Sequence, residues 1–435
     1  MATLQPYKKY NAIAYDYARQ LPDGWQLLPN IAVFQERIER GHINEELLSV
    51  TIGRGVIRQT EVDIKKDSSN EDKSKYKLIK VGDIAYNKMR MWQGALGYSD
   101  YQGISSPAYV ILKPKMKINP RFFHYMFRTS FYTNYSKRFS YGIVDDQLSL
   151  RYTDFKRMYS IVPPIAVQNN IVAYLDKKNN EIDKFIRNKE RLIELLEERK
   201  KKVISKNISQ WIHSELKESG ISWIGKIPTH WSVLNLKYLL KSKLKYGANE
   251  EAKDANPEHP RYIRITDFGF DGKLSDDTFR SLPLKKAKEY LLNEGDILFA
   301  RSGATVGKTF QFKEYNGLAC FAGYLIKASP NAQKILSDFL YLYTQSSLFE
   351  EWKNGIFDKA TIENIGADKY AVLKVIVPPI EEQEQIIAFV QNESSEINLA
   401  ISKAQKEISS IKEYREALIT DLVTGKRSVP QLQMS

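Results

Sequence analysis

The sequence contains few cysteines and histidines, the residues that form disulfides in secreted proteins and that bind zinc. Cys320 is the only cysteine in 435 residues, so no disulfide can form within the chain, which suits a reducing cytoplasm. The five histidines are scattered without ligand spacing, so we expect no zinc site. No apolar run approaches the roughly 18 residues that cross a membrane, and the N-terminus lacks a signal-peptide core. We therefore expect a cytoplasmic protein with no membrane segment.

Motifs of nucleotide binding, methyl transfer and DNA cleavage are also missing. Residues 303–309 resemble a phosphate-binding loop, but three residues separate Gly303 from Gly307 where that motif has four. The following residues read as a strand, so these glycines suit a hairpin turn or a close approach of backbone to DNA. Residues 106–109 do not match the Pro-Pro loop of adenine methyltransferases. Residues 351–353 match Glu-x-Lys of some nucleases, but without a preceding Pro-Asp. We expect no catalytic residues, cofactor site or metal site in this chain.

One stretch occurs twice. Residues 162–168 read VPPIAVQ, and residues 377–383 read VPPIEEQ, which is an offset of 215 residues. A repeat on this scale predicts a duplicated half-protein. Each copy precedes a run of about 40 residues without proline or glycine, which predicts a helix on the order of 60 Å long.

Each predicted long helix carries an apolar seam with steps of four and three residues, typical of a coiled coil. The two seams share the 215-residue offset, which also relates the basic pair Lys200 and Arg415. A helix this long cannot bury its own stripe, so we expect the two to pair antiparallel. The alternative is that each lies on a separate globular core. The predicted seam residues are Ile182, Ile186, Ile193, Leu196 and Val203 in the first helix, and Ile397, Ile401, Ile408, Ile411 and Leu418 in the second.

A globular segment precedes each Pro-Pro pair, and the two segments echo each other. Each contains a Gly-Asp turn that opens an apolar strand, at 82–83 and at 295–296. We predict short strands followed by a helical stretch, and partial helix in residues 1–22. The fold class is therefore α+β, with two pseudo-repeated mixed α/β globular domains separated by two long helices that form an antiparallel coiled coil. The predicted boundaries are 1–161 (the first globe), 162–219 (the first helix), 220–376 (the second globe) and 377–435 (the second helix and tail).

The charge and the loop composition favour a polyanionic partner. The formal net charge is +13, which raises the prior for nucleic acid. Loops after the Gly-Asp strands carry side chains able to reach base edges, since Arg and Lys pair with guanine, and Asn and Gln with adenine. The alternative is that most are solvated surface residues or, for Trp92, core. The candidate DNA-binding residues are Asn87, Lys88, Arg90, Trp92 and Gln93 in the first globe, and Tyr246, Arg264, Thr266, Arg301, Ser302, Thr305 and Lys308 in the second.

These features together resemble one family over nearly the whole chain. The duplicated Pro-Pro…Gln, the stretch GISWIGKIPTHW at 220–231 and the ending LITDLVTGK at 418–426 are similar to the specificity subunits of type I restriction–modification enzymes. The resemblance implies two target recognition domains, each reading half of a split double-stranded DNA sequence, with the coiled coil setting the gap. One departure is Val167, which stands where the family favours glutamate.

The resemblance also implies the partners. Two modification subunits, which are methyltransferases, would bind S-adenosylmethionine, and ATP-dependent restriction subunits would bind ATP and magnesium. The chain itself would be no enzyme. Two other hypotheses stay open: a recognition subunit of a related two-component enzyme, and a structural coiled-coil adaptor between two proteins. The adaptor predicts no salt-dependent DNA binding, and a catalytic role predicts cofactor binding by the isolated chain.

Overall fold

The chain divides into two compact units, and each long helix contributes to both. A computed structural model describes residues 4–15, 17–62, 72–142, 147–211, 215–269, 272–303, 305–357 and 364–429. The first unit comprises Met1–Asn188 and Glu407–Ser435, and the second comprises Lys189–Lys406. This division falls inside the long helices, whereas the predicted boundaries fall at their ends and stay a prediction. Among the described residues, no helix is both long and apolar enough to cross a membrane.

The first unit consists of short strands, then short helices, then the beginning of a long helix. Its strands are β1 (Tyr10–Ala12), β2 (Gln20–Pro22), β3 (Gln26–Pro29), β4 (Phe34–Glu36), β5 (Leu48–Thr51), β6 (Gly55–Arg58), β7 (Lys77–Ile79), β8 (Ile84–Asn87), β9 (Leu96–Tyr98), β10 (Gly103–Ser105), β11 (Tyr109–Pro114) and β12 (Tyr159–Val162). Its helices are α1 (Asn30–Val33), α2 (Pro120–Arg128), α3 (Ser130–Phe139), α4 (Tyr152–Phe155) and the first part of α5 (Ile165–Ser209).

The second unit repeats this order with different short elements. Its strands are β13 (Leu216–Glu218), β14 (Lys226–Pro228), β15 (Ser232–Asn235), β16 (Lys245–Tyr246), β17 (Arg261–Ile263), β18 (Ile297–Ala300), β19 (Thr309–Gln311), β20 (Ala319–Phe321), β21 (Leu325–Ala328) and β22 (Lys374–Val377). Its helices are α6 (Leu284–Ala287), α7 (Ser337–Thr344), α8 (Ser347–Phe357), α9 (Ala367–Ala371) and most of α10 (Ile380–Val423).

A four-stranded antiparallel sheet forms the centre of each unit, which accounts for the pseudo-repeat. The strand order is β4-β11-β8-β9 in the first unit and β16-β21-β18-β19 in the second. A helix with a buried aromatic face packs next to each sheet: Phe122 and Phe123 in α2, and Phe339 and Tyr343 in α7, are all fully buried. The fold is the predicted mixed α/β class with two long helices.

The long helices pair antiparallel within each unit. In the first unit Leu175 near the start of α5 shares one apolar core with Leu422 near the end of α10. In the second unit Ile208 at the end of α5 shares a core with Ile386 near the start of α10. Opposite ends of the two helices therefore meet in both units, as an antiparallel pair requires.

All ten predicted seam residues are buried or partly buried, although near the end of α5 Ile204 is more buried than the predicted Val203. Four seam residues are buried and the other six are partly buried. Two polar contacts join the helices beside this seam. Lys200 Nζ donates to Asn398 Oδ1 at 2.8 Å in the second unit, and Arg415 pairs with Asp183 in the first. Asp183 and Asn398 are themselves 215 residues apart, so the repeat preserves the contact as well as the seam. The buried seam residues are Ile182, Ile186, Ile397 and Leu418, and the partly buried ones are Ile193, Leu196, Val203, Ile401, Ile408 and Ile411.

The repeated glutamine fixes each globe to the start of the helix that follows it. Gln168 Oε1 accepts a hydrogen bond from Asn119 N–H at 2.8 Å, just before α2. Gln383 Oε1 accepts one from Leu336 N–H, also at 2.8 Å, just before α7. Both side-chain amides donate to the carbonyl of the first proline of their own Pro-Pro pair, at 2.7 and 2.8 Å. Because both amides are buried, the motif encodes a joint between globe and helix.

The position before that glutamine differs between the copies. Glu382 Oε2 accepts a hydrogen bond from the Trp231 indole N–H at 2.9 Å, and Oε1 lies 2.7 Å from His230 Nε2. In the first copy Val167 packs against the core that contains Trp25. The residue before the glutamine therefore bonds to the tryptophan in the second unit and packs on the apolar core in the first.

The prediction of partial helix in residues 1–22 is wrong for the part that the structure describes, and residues 1–3 and 16 lie outside the described residues. β1 and β2 form an antiparallel hairpin. Tyrosine favours strands over helices, and Pro22 ends the second strand. The segment is anchored to the end of the chain, since Ser428 N–H donates to Gln5 O at 2.7 Å and Tyr10 Oη to Gly425 O at 3.1 Å.

Candidate nucleic-acid interface

The repeated Gly-Asp turn has the same geometry in both globes. Gly82 has φ +92° and Gly295 has φ +86°, a left-handed conformation that favours glycine. Asp83 and Asp296 are buried, and each carboxylate accepts a hydrogen bond from the backbone N–H three residues earlier, at 2.8 and 2.9 Å. The turn thereby fixes where β8 and β18 begin, and so which residue follows each strand.

Lys88 follows β8 in the first globe, and both of its backbone groups are fixed. Its N–H donates to Ala108 O at 3.3 Å, and its carbonyl accepts from Leu150 N–H at 2.9 Å. The side chain is partly buried, and desolvation, reinforced by the positive charge of Lys77, lowers the pKa of the Lys88 ammonium below its usual value. An anionic partner close to Lys88 would stabilise the charged form of its side chain.

Arg301 follows β18 in the second globe in an equivalent backbone position. Its N–H donates to Tyr324 O at 3.1 Å, and its carbonyl accepts from Ile365 N–H at 2.8 Å. Its guanidinium carbon lies 5.0 Å from the centroid of the Tyr246 ring, and Tyr246 Oη accepts a hydrogen bond from Ala367 N–H at 2.9 Å. This stacking orders the Arg301 side chain before any ligand binds.

The other candidates of the first globe surround Lys88. Asn87 Oδ1 accepts a hydrogen bond from Met89 N–H at 2.9 Å, and Arg90 and Gln93 are exposed. Trp92 is partly buried. Its indole N–H donates to the Met89 carbonyl at 3.2 Å, and Lys137 Nζ lies 4.9 Å from a ring centroid. Trp92 is thus fixed within the loop but not enclosed in the core.

The remaining candidates of the second globe fall into two groups. Ser302 is partly buried and forms a β-bridge with Asn364, whereas Thr305 and Lys308 are exposed. Thr266 is exposed and, with Arg264, lines a cavity of about 380 Å³. The strand after the glycine turn is β19, so this turn lacks the helix that a phosphate-binding loop needs.

Arg264 differs from the other basic candidates because its side chain is already engaged. Its Nε and Nη2 donate to the Asp267 carboxylate at 3.2 and 3.0 Å, and Nη2 also donates to Thr278 O at 2.6 Å. Arg264 therefore stabilises the conformation of its own loop.

Sequence reasoning missed a lysine strip that leads into Tyr246. The strip comprises Lys241, Lys243 and Lys245, all exposed, and Lys245 lies on β16 at the edge of the central sheet. No acidic residue occurs from 232 to 249, and within the described chain these three lysines have no ion pair. Lysine at every second position was the available signal, because side chains two residues apart lie on the same side of an extended chain.

Comparison with known proteins finds similarity to specificity subunits of type I restriction enzymes. Residues 228–409 match the family model described as type I restriction modification DNA specificity domain. The type I restriction enzyme MjaVIII specificity subunit of Methanocaldococcus jannaschii is 24% identical over 376 residues, covering 82% of this chain and 84% of that protein. Over most of its length the chain is therefore similar to a type I restriction enzyme specificity subunit. Both matches are described by DNA specificity or by a specificity subunit, and not by a catalytic step.

One solved structure shares the fold. A chain from a study of complex assembly and conformational transition of the type I restriction–modification system superposes with a TM-score of 0.65 at 16% identity, covering 93% of this chain and 99% of that one. The HsdS subunit of Thermoanaerobacter tengcongensis is 17% identical with a TM-score of 0.43, covering 95% of this chain and 99% of that one. The fold comparison rests on the first of these.

Proposed function

We propose that this specificity subunit directs a modification and restriction complex to a two-part duplex DNA target. Each globe reads one half-site, and the antiparallel helices set the gap between the half-sites. The observation that carries the proposal is the equivalence of Lys88 and Arg301. Each globe holds one basic residue at the same backbone position, immediately after the central strand, where its side chain can reach a guanine edge.

Affinity in this proposal comes mainly from phosphate contacts, and the lysine strip supplies part of them. Each phosphate neutralised on duplex DNA steepens the salt dependence of binding by about 0.9 in log–log slope. Replacing Lys241, Lys243 and Lys245 with alanine should therefore reduce the slope by up to about 2.7 and leave the base preference unchanged. The control removes the same charge from three lysines that already have acidic partners, Lys9, Lys202 and Lys426.

The proposed complex includes two modification subunits and the restriction subunits. S-adenosylmethionine, ATP and magnesium bind to those partners in this proposal. The outer faces of α5 and α10 offer repeated surfaces to two copies of one partner. Replacing Ile193 and Ile408 with glutamate should loosen the helix pair and release the modification subunits. Unchanged assembly of that variant would contradict this part of the proposal.

The test is binding selection from random duplex DNA, with the chain and the modification subunits encoded beside it. The proposal predicts a two-part motif with one fixed gap, whose half-site centres lie about one to two DNA turns apart. Exchanging a globe should change one half of the motif only. A selection that enriches nothing above a salt-sensitive background would favour the adaptor hypothesis.

A further inference from the structure

Tyr324 is the most exposed aromatic side chain around Arg301. Its side chain is 65% exposed, at a turn between β20 and β21. In the described part of the chain, its ring and its hydroxyl have no hydrogen bond, ion pair or ring contact. The side chain therefore contributes little to the fold through contacts of its own.

The backbone at residues 323–325 is, by contrast, fixed by hydrogen bonds. Gly323 N–H donates to Ala248 O at 2.7 Å, and Leu325 N–H donates to Ala322 O at 2.9 Å. The Tyr324 carbonyl accepts from Arg301 N–H at 3.1 Å. These bonds fix the Tyr324 backbone beside Arg301, so little backbone entropy remains to be lost when a ligand contacts the side chain.

The first globe contains the same turn with a different residue at its tip. Tyr109 N–H donates to Ser106 O at 3.0 Å, and Ala108 O accepts from Lys88 N–H at 3.3 Å. Ala108 therefore occupies the position of Tyr324 in an equivalent framework. Because alanine satisfies that framework, the tyrosine ring is not needed to form the turn.

We infer that Tyr324 is a specificity-determining residue of the second half-site, and that its ring packs on a base edge in the major groove next to the base met by Arg301. The apolar group that the major groove offers to such a ring is the thymine methyl. Thr266, exposed on the same cavity as Tyr324, lies on this surface too. The inference rests on the proposed function and adds an aromatic contact that Ala108 cannot make in the first globe.

The test is binding selection with the wild-type complex and with the variants Tyr324→Ala and Tyr324→Phe. Tyr324→Ala should relax the preference at one base pair of the second half-site and weaken binding about fivefold to 150-fold. Tyr324→Phe should keep the preference, because the ring rather than the hydroxyl makes the contact. Replacing the preferred thymine with uracil, which lacks the methyl group, should weaken wild-type binding and leave the alanine variant unaffected.

The outcomes separate this inference from the proposed function. A wild-type complex that enriches no two-part motif would overturn the proposed function itself. A wild-type motif that Tyr324→Ala leaves unchanged in both halves would overturn the inference alone. If Tyr324→Ala lowers affinity equally for all sequences, the ring contacts the DNA backbone and the inference is also wrong. Equal melting temperatures of Tyr324→Ala and wild type would exclude misfolding as the cause of a change.

Discussion

Replacing Gln383 with leucine should destabilise the second unit and leave the first unit unchanged. The substitution removes the acceptor for Leu336 N–H and a donor to Pro378 O, while leucine fills a similar volume. A buried polar group left without a partner costs about 1–3 kcal/mol, and the apolar side chain offsets part of that. We expect a net loss of about 3 kcal/mol in the free energy of unfolding of that unit.

Amide hydrogen exchange measures this loss one unit at a time. A loss of about 3 kcal/mol should speed exchange of the most protected amides of the second unit by roughly 150-fold. Gln168→Leu should produce the mirror result, with faster exchange in the first unit only. Gln391→Leu is the control, because Gln391 lies on the exposed face of the same helix as Gln383.

Two results would refute the reasoning. If Gln383→Leu speeds exchange equally in both units, the glutamine does not act as a local joint. If Gln391→Leu has the same effect as Gln383→Leu, the loss comes from the helix and not from the hydrogen bonds of the Gln383 side chain.

Two further predictions concern stability. A Cβ at Gly247 would lie 2.3 Å from the carbonyl oxygens of Ala322 and Phe321, so Gly247→Ala should cost the second unit about 1–3 kcal/mol in urea unfolding. Gly355→Ala is the control: it has open space within α8 and should be neutral or stabilising by up to about 1 kcal/mol. A Gly247→Ala variant with unchanged stability in urea would contradict this packing. Burial lowers the pKa of His124 from 6.5 to about 3, so the folded state holds this side chain neutral. The unfolded state takes up a proton first, so stability should fall as pH drops below about 6.5, by up to about 1.4 kcal/mol per pH unit. His124→Gln should flatten that slope between pH 6 and 4, and an unchanged slope would contradict it.

The sequence repeat predicted the features that both units share. The offset that relates Lys200 to Arg415 also relates Asp183 to Asn398, so the helix pair and its polar contacts follow from one periodic pattern. The Gly-Asp turn was equally readable, because only a few residue types satisfy a left-handed position followed by a backbone-capping carboxylate.

Features that depend on pairing between distant strands could not be predicted. β7 and β10 pair antiparallel in the first globe, whereas β17 and β20 pair parallel in the second, and no local pattern distinguishes these. The importance of Tyr324 was hidden for the same reason. Its neighbour Arg301 is 23 residues away in the sequence, and the two are brought together by the pairing of β18 with β21 and by the hydrogen bond from Arg301 N–H to Tyr324 O.

The central claim is that Lys88 and Arg301 read DNA bases from equivalent positions in the two globes, and one measurement tests it directly. Binding selection should be repeated with Lys88→Ala and with Arg301→Ala in the complex with the modification subunits. We predict that each variant relaxes one position in a different half of the two-part motif, at a cost of about 1–3 kcal/mol, and leaves the other half and the gap intact. Loss of preference in the same half for both variants, or in neither half, would contradict the account.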